Sequence, residues 1–258
     1  MSETHSLVNV EPLEEGAIWR VTFGGAKGNI LDAALVAELT AIFHRAGAER
    51  DLKAVVLEGR GPHFSFGASV EEHLPQHAAV MLLGFHDLFR AIFQASVVTI
   101  AAVRGACLGG GLELATACHR IYAASDAKFG QPEITLGVFA PVASVLLVER
   151  LGRARAEDLL FSGRTVDGEN ALAMGLVDGI DQDPSAAALD FARERLLAHS
   201  ASSLRFAVRA ARGGLAERFQ SEISRLEPLY LDELMASQDA VEGLKAFIEK
   251  RKASWSNA

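Results

Sequence analysis

The chain has 258 residues, enough for one large domain or for a domain with an appendage. Half of the residues are hydrophobic and 22% are charged, so the composition provides for a sizeable core and excludes a mostly disordered chain. The formal net charge of −8 disfavours nucleic acid as a main partner, because phosphate binding needs a basic surface.

The sequence contains few features that indicate a cellular compartment. The two cysteines form no disulfide framework, so we expect a cytoplasmic protein. The stretch Met1–Leu7 lacks the basic start and apolar run of a signal peptide. The apolar run Val138–Val148 is too short to cross a bilayer, and Arg104 interrupts another. We therefore expect no membrane segment.

The first half of the chain alternates between strand and helix signals. Residues 7–23 alternate around a turn at Glu14–Gly16, which indicates a pair of strands. Asp32 is placed to cap a helix, whose apolar residues recur at helical spacing. The predicted elements are the helix 33–46, the strand 54–59, a loop at 61–69 and the helix 77–94.

The second half begins with the same alternation and then becomes helical. The predicted elements are the strands 97–103, 121–124 and 175–180, a loop at 127–133, and the helices 112–117, 141–150 and 154–161. From Pro184 onward the pattern is helical almost throughout. We therefore predict an α/β protein with a ββα-repeating core over residues 1–190 and a helical region over residues 191–258.

Three consecutive glycines, Gly109–Gly111, join the strand 97–103 to the following helix. A helix start leaves backbone N–H groups unpaired, and glycine lets another group approach the backbone closely. The first charged side chain after the glycines is Glu113, in an otherwise apolar helical turn. An anion-polarising turn with one carboxylate in apolar surroundings predicts a catalytic site.

Four segments in the same order make the chain resemble the enoyl-CoA hydratase/isomerase (crotonase) superfamily. They are residues 64–68 (FSFGA), 102–113 (AVRGACLGGGLE), 129–137 (FGQPEITLG) and 242–251 (EGLKAFIEKR). The resemblance covers nearly the whole chain, and the second and third segments together are its most specific part.

The resemblance implies a spiral of ββα units whose C-terminal helices drive assembly into a trimer, often a dimer of trimers. It also implies an acyl-CoA thioester substrate and no separate cofactor, because CoA is part of the substrate. By motif position the backbone N–H groups of Ala68 and Gly110 form the oxyanion hole. Glu113 and Glu133 match the two catalytic glutamates, of which one activates water and the other moves a proton. Which glutamate does which stays open.

The resemblance also implies residues that bind substrate. Three of them, Ala26, Lys27 and Asn29, match the path of the CoA moiety, and Gly67 and Gly109 adjoin the oxyanion hole. The acyl pocket is predicted to include Phe139 and Pro141. At the C-terminal end, Phe247 and Lys250 match residues that reach CoA from a neighbouring subunit.

Two segments depart from the pattern usual in fatty-acid hydratases. Residues 64–75 replace its Gly-Ala-Asp motif, and residues 137–144 replace a glycine-rich wall with bulkier apolar residues. Together with the segments 202–212 and 229–237, they resemble family members of anaerobic benzoyl-CoA degradation. Those members hydrate cyclohexa-1,5-diene-1-carbonyl-CoA to 6-hydroxycyclohex-1-ene-1-carbonyl-CoA.

Several alternatives stay open. They are a hydratase for linear 2-enoyl-CoA, a ring-opening hydrolase of a cyclic oxoacyl-CoA, and a non-catalytic protein that binds a CoA ester or RNA. His73 and His77 have a spacing that suits a metal on a helix, but Pro75 lies between them and no metal site is predicted. Cys107 is interpreted as a small buried hydrophobic residue.

Overall fold

The computed structural model describes residues 6–25 and 28–258. These residues form nine strands in two sheets. The strands in chain order are β1 (Val8–Leu13), β2 (Ile18–Phe23), β3 (Ala54–Gly59), β4 (Val98–Val103), β5 (Ala106–Leu108), β6 (Arg120–Ala123), β7 (Lys128–Gly130), β8 (Thr165–Asp167) and β9 (Gly179–Ile180).

The larger sheet has the strand order β1-β2-β3-β4-β6-β9. Its first pair is antiparallel, as the sequence predicted for residues 7–23, and the other pairs are parallel. Residues Ala54–Leu57 of β3 are all buried, although their side chains point alternately to opposite faces. This continuous burial is typical of a parallel sheet that is covered on both faces.

The smaller sheet has the strand order β5-β7-β8. From β4 to β7 successive strands alternate between the sheets, since β4 and β6 lie in the larger sheet and β5 and β7 in the smaller one. The predicted loop 127–133 is partly wrong, because Lys128–Gly130 pair with β5 and β8. Three residues are too few to show a strand period in the sequence.

Nine α-helices occur in the same described ranges. They are α1 (Ala33–Ala48), α2 (Pro75–Ala95), α3 (Gly110–Ala117), α4 (Pro141–Leu151), α5 (Arg153–Ser162), α6 (Gly168–Ala173), α7 (Pro184–Arg195), α8 (Ala201–Pro228) and α9 (Gln238–Ile248). The predicted cap of α1 is confirmed, because the Asp32 side chain accepts a hydrogen bond from Leu35 N. Such a cap satisfies one of the unpaired N–H groups at the start of the helix.

The large sheet separates two apolar cores. One face packs against α7 in a cluster that includes Val56, Ile100 and Ala188. The opposite face packs against α1, α2 and α3 in the main core. Since both faces are covered, the glycine turn between β5 and α3 rests on a closely packed layer.

Three features differ from the sequence prediction. The predicted strand 175–180 is reduced to Gly179–Ile180, and β8 and α6 were not predicted. The C-terminal helical pattern is interrupted after Pro228 by a π-helical turn over Leu229–Glu233. The predicted boundary between the ββα core and the helical region, after residue 190, falls inside α7. The division of the chain into these two parts stays a prediction.

By length and composition alone, α2 is apolar enough to cross a membrane, which the sequence reading did not anticipate. In the fold, 56% of its apolar window is buried. Its buried residues, among them Leu82, Phe85 and Phe89, belong to the main core. This packing accounts for the apolar composition of α2.

Candidate active site

A cavity of about 450 Å³ lies between the start of α3 and the C-terminal helical region. Several parts of the chain line it, and most of the lining is apolar. They include the loop after β3 (66–71), one face of α2, the β5–α3 turn with Glu113, the segment 132–141, and the side chains of Tyr230 and Phe247. An apolar cavity with a few polar groups is the usual form of a small-molecule site.

Two backbone amides lie side by side in the cavity wall. A Cβ atom built on Gly110 would lie 3.1 Å from Ala68 N, and one built on Gly67 would lie 3.4 Å from Gly110 N. Neither the Ala68 N–H nor the Gly110 N–H donates to another backbone group among the described residues. Two such donors in one wall can stabilise a developing oxyanion.

Ser65 connects the loop after β3 to the β5–α3 turn through hydrogen bonds, a role that the sequence analysis did not predict. Its carbonyl accepts a hydrogen bond from Leu108 N at 3.0 Å. Its hydroxyl accepts from Gly67 N at 3.0 Å and donates to Asn29 O at 2.7 Å. The two amides of the predicted oxyanion hole therefore have a fixed separation, which removes the cost of reorganising them during the reaction.

Gly109 has a positive φ of 50°, a conformation that glycine adopts easily. A Cβ atom at this position would lie only 2.5 Å from Glu133 Oε1. The glycine therefore lets the Glu133 carboxylate lie against the turn. The turn is also tied to β7, because Gly109 N donates to Gly130 O at 2.9 Å.

Glu113 lies in the first turn of α3 and is almost fully buried. Its Oε1 accepts a hydrogen bond from Ala143 N, in the first turn of α4, at 2.7 Å. Burial raises the pKa of Glu113, the charge of Glu133 raises it further, and the amides of Ala143 and Val142 oppose the rise.

Glu133 lies in a 3₁₀ turn over Pro132–Leu136. Its Oε2 is enclosed and has no hydrogen-bond partner among the described residues. Burial raises the pKa of this carboxyl group as well. Two enclosed carboxyl groups that influence each other do not both ionise readily, so one is suited to be an acid while the other is a base.

Bulky side chains form a second part of the cavity wall. The rings of Phe139 and Tyr230 pack edge to face, with centroids 5.3 Å apart. Pro141, the first residue of α4, also lines the cavity, and so does Phe85 of α2, which lies against the glycine turn. The sequence analysis listed the segment around Tyr230 as distinctive but did not predict the tyrosine as a site residue.

The structure brings together most of the predicted site residues. The cavity is lined by Ala68, Gly110, Glu113 and Glu133 and also by Gly67, Gly109, Phe139 and Pro141. Phe247 lines the cavity of its own chain, whereas the resemblance implied that it reaches CoA from a neighbouring subunit. Predictions for Ala26 and Lys27 lie outside the described residues. Lys250 is exposed and is not part of the cavity lining.

The prediction that Asn29 lies along the path of CoA stays a prediction, and its side-chain contacts show a structural role. The side chain is buried, and its Nδ2 donates to the carbonyl oxygens of Arg60, His63 and Phe64 at 2.8–3.1 Å. The residue has a positive φ of 52° and does not line the cavity. Asn29 therefore stabilises the loop beneath the oxyanion amides, because its amide hydrogens are used within the protein.

Comparison with known proteins agrees with this geometry. The enoyl-CoA hydratase/isomerase family model matches residues 14–258. A Thauera aromatica protein named cyclohexa-1,5-dienecarbonyl-CoA hydratase is 51% identical over 257 residues, which cover 100% of both chains. The 2,3-dehydroadipyl-CoA hydratase of Escherichia coli is 31% identical over 231 residues, covering 88% of this chain and 89% of the relative.

A solved structure shows the same fold. It is described as a putative enoyl-CoA hydratase from Mycobacterium avium paratuberculosis, with a TM-score of 0.85 and 28% identity. The match covers 97% of this chain and 99% of the other. The chain belongs to the enoyl-CoA hydratase/isomerase family and has the crotonase fold. It is an acyl-CoA hydratase, a hydro-lyase that acts on an acyl-CoA thioester.

Proposed function

We propose that the protein adds water to cyclohexa-1,5-diene-1-carbonyl-CoA and forms 6-hydroxycyclohex-1-ene-1-carbonyl-CoA. One observation carries this proposal: two enclosed carboxyl groups and two adjacent backbone amides line the same apolar cavity. The similarity to the Thauera aromatica protein supports the choice of a cyclic diene. No separate cofactor is needed, because the thioester itself activates the ring.

The structure of the product determines where the atoms go. Carbon 2 of the diene is conjugated with the thioester carbonyl, so it is the carbon that water attacks. The new C–O bond converts the C1=C2 bond and the carbonyl into a dienolate that extends to carbon 5. Protonation at carbon 5 then leaves the double bond between carbons 1 and 6, and renumbering the ring gives the 6-hydroxy-1-ene.

The residues fit these steps. The Ala68 and Gly110 amides donate to the thioester oxygen, which gains negative charge as the dienolate forms. The ionised glutamate takes a proton from water, and the neutral glutamate gives a proton to carbon 5. The pair ends with its protonation states exchanged, and proton transfer between the carboxyl groups or with solvent restores them.

The bulky wall supports a ring over a linear chain. Phe139, Pro141 and Tyr230 contribute bulky side chains to the lining of the cavity. The two reacting carbons of the ring lie opposite each other, whereas in a linear enoyl-CoA the reacting carbons are neighbours. A compact cavity that holds the whole ring in place suits addition at two carbons on opposite sides of that ring.

Turnover on a panel of thioesters tests the proposal. We expect kcat/KM for the cyclic diene to exceed that for crotonyl-CoA by more than about 10-fold, a margin typical of apolar pocket selection. Faster turnover of crotonyl-CoA would identify a linear enoyl-CoA hydratase instead. A ring-opened product, detected by mass, would identify a hydrolase.

Assembly into a trimer or a dimer of trimers is part of the proposal. Large apolar side chains of the C-terminal region are exposed in the single chain, including Phe206 at 64% and Phe247 at 56%. Burial of such residues between subunits would favour association. Light scattering on the purified protein tests this, and a monomer at micromolar concentration would contradict it.

A further inference from the structure

Two enclosed polar atoms in the cavity region have no hydrogen-bond partner among the described residues: Tyr230 Oη and Glu133 Oε2. Both residues line the cavity. A phenol can donate one hydrogen bond and accept others, whereas a carboxylate only accepts. Buried polar groups without a partner cost free energy, so a bound molecule that pairs with both atoms would be stabilised by them.

The backbone around Tyr230 is unusual. Tyr230 lies in the π-helical turn Leu229–Glu233, directly after Pro228 at the end of α8. π-helical turns are rare in proteins, but those that occur are often found at functional sites. Here the turn places an aromatic side chain from the C-terminal region in the wall of a cavity built mainly by the core.

Contacts on both sides hold this segment in place. Just before the turn, the Glu227 carboxylate contacts His86 Nδ1 of α2 at 2.7 Å. The Tyr230 ring packs against Phe139 on the other side. Tyr230 is 1% exposed, so its hydroxyl has little freedom to turn toward solvent.

The phenol is suited to donate rather than to act as a base. Burial raises the pKa of Tyr230, and the nearby charges of Glu133 and Glu113 raise it further. The hydroxyl therefore keeps its proton at neutral pH. A neutral donor near two acidic groups can orient a water molecule without competing for its proton.

We propose that Tyr230 is a third catalytic residue, whose hydroxyl holds the attacking water together with Glu133. The bound water satisfies both enclosed atoms, and its oxygen forms the bond to carbon 2. Its proton passes to the ionised glutamate, as in the proposed hydration, and no further reactant is required. After addition, Tyr230 donates to the new hydroxyl group of the product. This inference rests on the proposed function.

The first test is Tyr230→Phe, compared with Tyr122→Phe. The chain has two tyrosines, and Tyr122 packs against Phe191 outside the cavity. We expect Tyr230→Phe to lower kcat for the cyclic diene by about 10- to 100-fold, the effect of one hydrogen bond to a reacting group. KM should stay within about twofold. Tyr122→Phe should keep the activity of the unmodified protein.

Two further measurements separate a catalytic role from a structural one. Removing an unpaired buried hydroxyl should leave the melting temperature unchanged or higher. In a Glu113→Gln background, which blocks turnover, adding Tyr230→Phe should weaken binding of the hydroxylated product by about 10-fold. Binding of cyclohexanecarbonyl-CoA, which has no hydroxyl group, should change by less than about twofold, because it loses no contact.

The outcomes distinguish the two proposals. If the unmodified protein does not hydrate the cyclic diene, the proposed function fails. If it does, and Tyr230→Phe has the same kcat, the role of Tyr230 is overturned. Equal weakening of both CoA esters would also overturn it, because a general distortion of the cavity would affect them alike.

Discussion

The two walls of the cavity are built in different ways. The wall that holds the predicted oxyanion amides and Glu113 comes largely from the segments 64–68 and 108–113, which are joined through Ser65. The second wall is made of side chains from distant parts of the chain, namely Phe139, Tyr230 and Phe247. The first wall presents backbone groups, whose positions do not depend on the side chains of their residues. The second uses side chains that can change without disturbing that backbone.

This difference suggests that one wall carries out catalysis and the other selects the substrate. Backbone amides are directed by loop geometry, so a substitution that adds bulk at the glycine turn should reduce catalysis for every substrate. If side chains in the second wall contact the acyl group, as we propose, substitutions there should change which thioester is accepted. Four predictions test this separation, beginning with the largest effect.

Glu113→Gln and Glu133→Gln should each lower kcat by roughly 10²- to 10⁴-fold, because each removes one proton-transfer group. Binding of cyclohexanecarbonyl-CoA should change by less than about fivefold, since glutamine has the same shape. Steady-state kinetics and calorimetry measure the two effects. Glu194→Gln, at an exposed position of α7, is the matched control and should be fully active. Hydratase activity near the normal level in both site variants would refute the acid–base roles.

Gly110→Ala should lower kcat/KM by roughly 10²- to 10³-fold for cyclic and linear thioesters alike. The added Cβ atom would lie 3.1 Å from Ala68 N and 3.0 Å from Phe85 Cζ, so it would crowd the predicted oxyanion hole.

Gly84→Ala is the control for this change, because a Cβ atom there meets nothing within 4 Å and the residue lies in α2. It should keep full activity and stabilise the protein by about 0.4–1 kcal/mol. Loss of activity on only one substrate class in Gly110→Ala would contradict the separation of the two walls.

Phe139→Ala should lower the preference for the cyclic diene over crotonyl-CoA by about 5- to 20-fold, mainly through a higher KM for the ring. The reason is that the ring loses an apolar contact and Tyr230 loses its packing partner. Phe161→Ala on α5, where the side chain is 71% exposed, provides the comparison. If the preference is unchanged, Phe139 does not contribute to selection.

The smallest effect is on stability. Folding raises the pKa of both Glu113 and Glu133 above the unfolded value of about 4.3, so the folded chain binds more protons as these groups titrate. Their contribution to stability is therefore complete below that value and is lost as pH rises through the raised pKa values. Relative to Glu113→Gln/Glu133→Gln, the unmodified protein should become progressively less stable as pH rises from about 5 to about 9. Urea unfolding at several pH values measures this, and a pH-independent difference would contradict it.

Much of the fold was predictable from the sequence, because its longer elements have clear periods. The strands β2 and β3 and the helices α1, α2 and α4 occur within a few residues of their predicted bounds. The short strands β5, β7 and β8 were not predicted, since their pairing depends on distant partners. The contacts of Asn29 show the same limit, because the three carbonyl groups that it binds meet only in the folded loop.

By itself, the sequence determined the family, the glycine turn and the two glutamates. These features are local, since a run of glycines before a helix exposes backbone N–H groups wherever it occurs. Only the tertiary structure decided which side chains face those groups. Tyr230 follows Glu113 by more than a hundred residues, and it lines the same cavity because α8 ends at Pro228 and the π-helical turn follows. Packing between distant segments, which no local pattern encodes, created that wall.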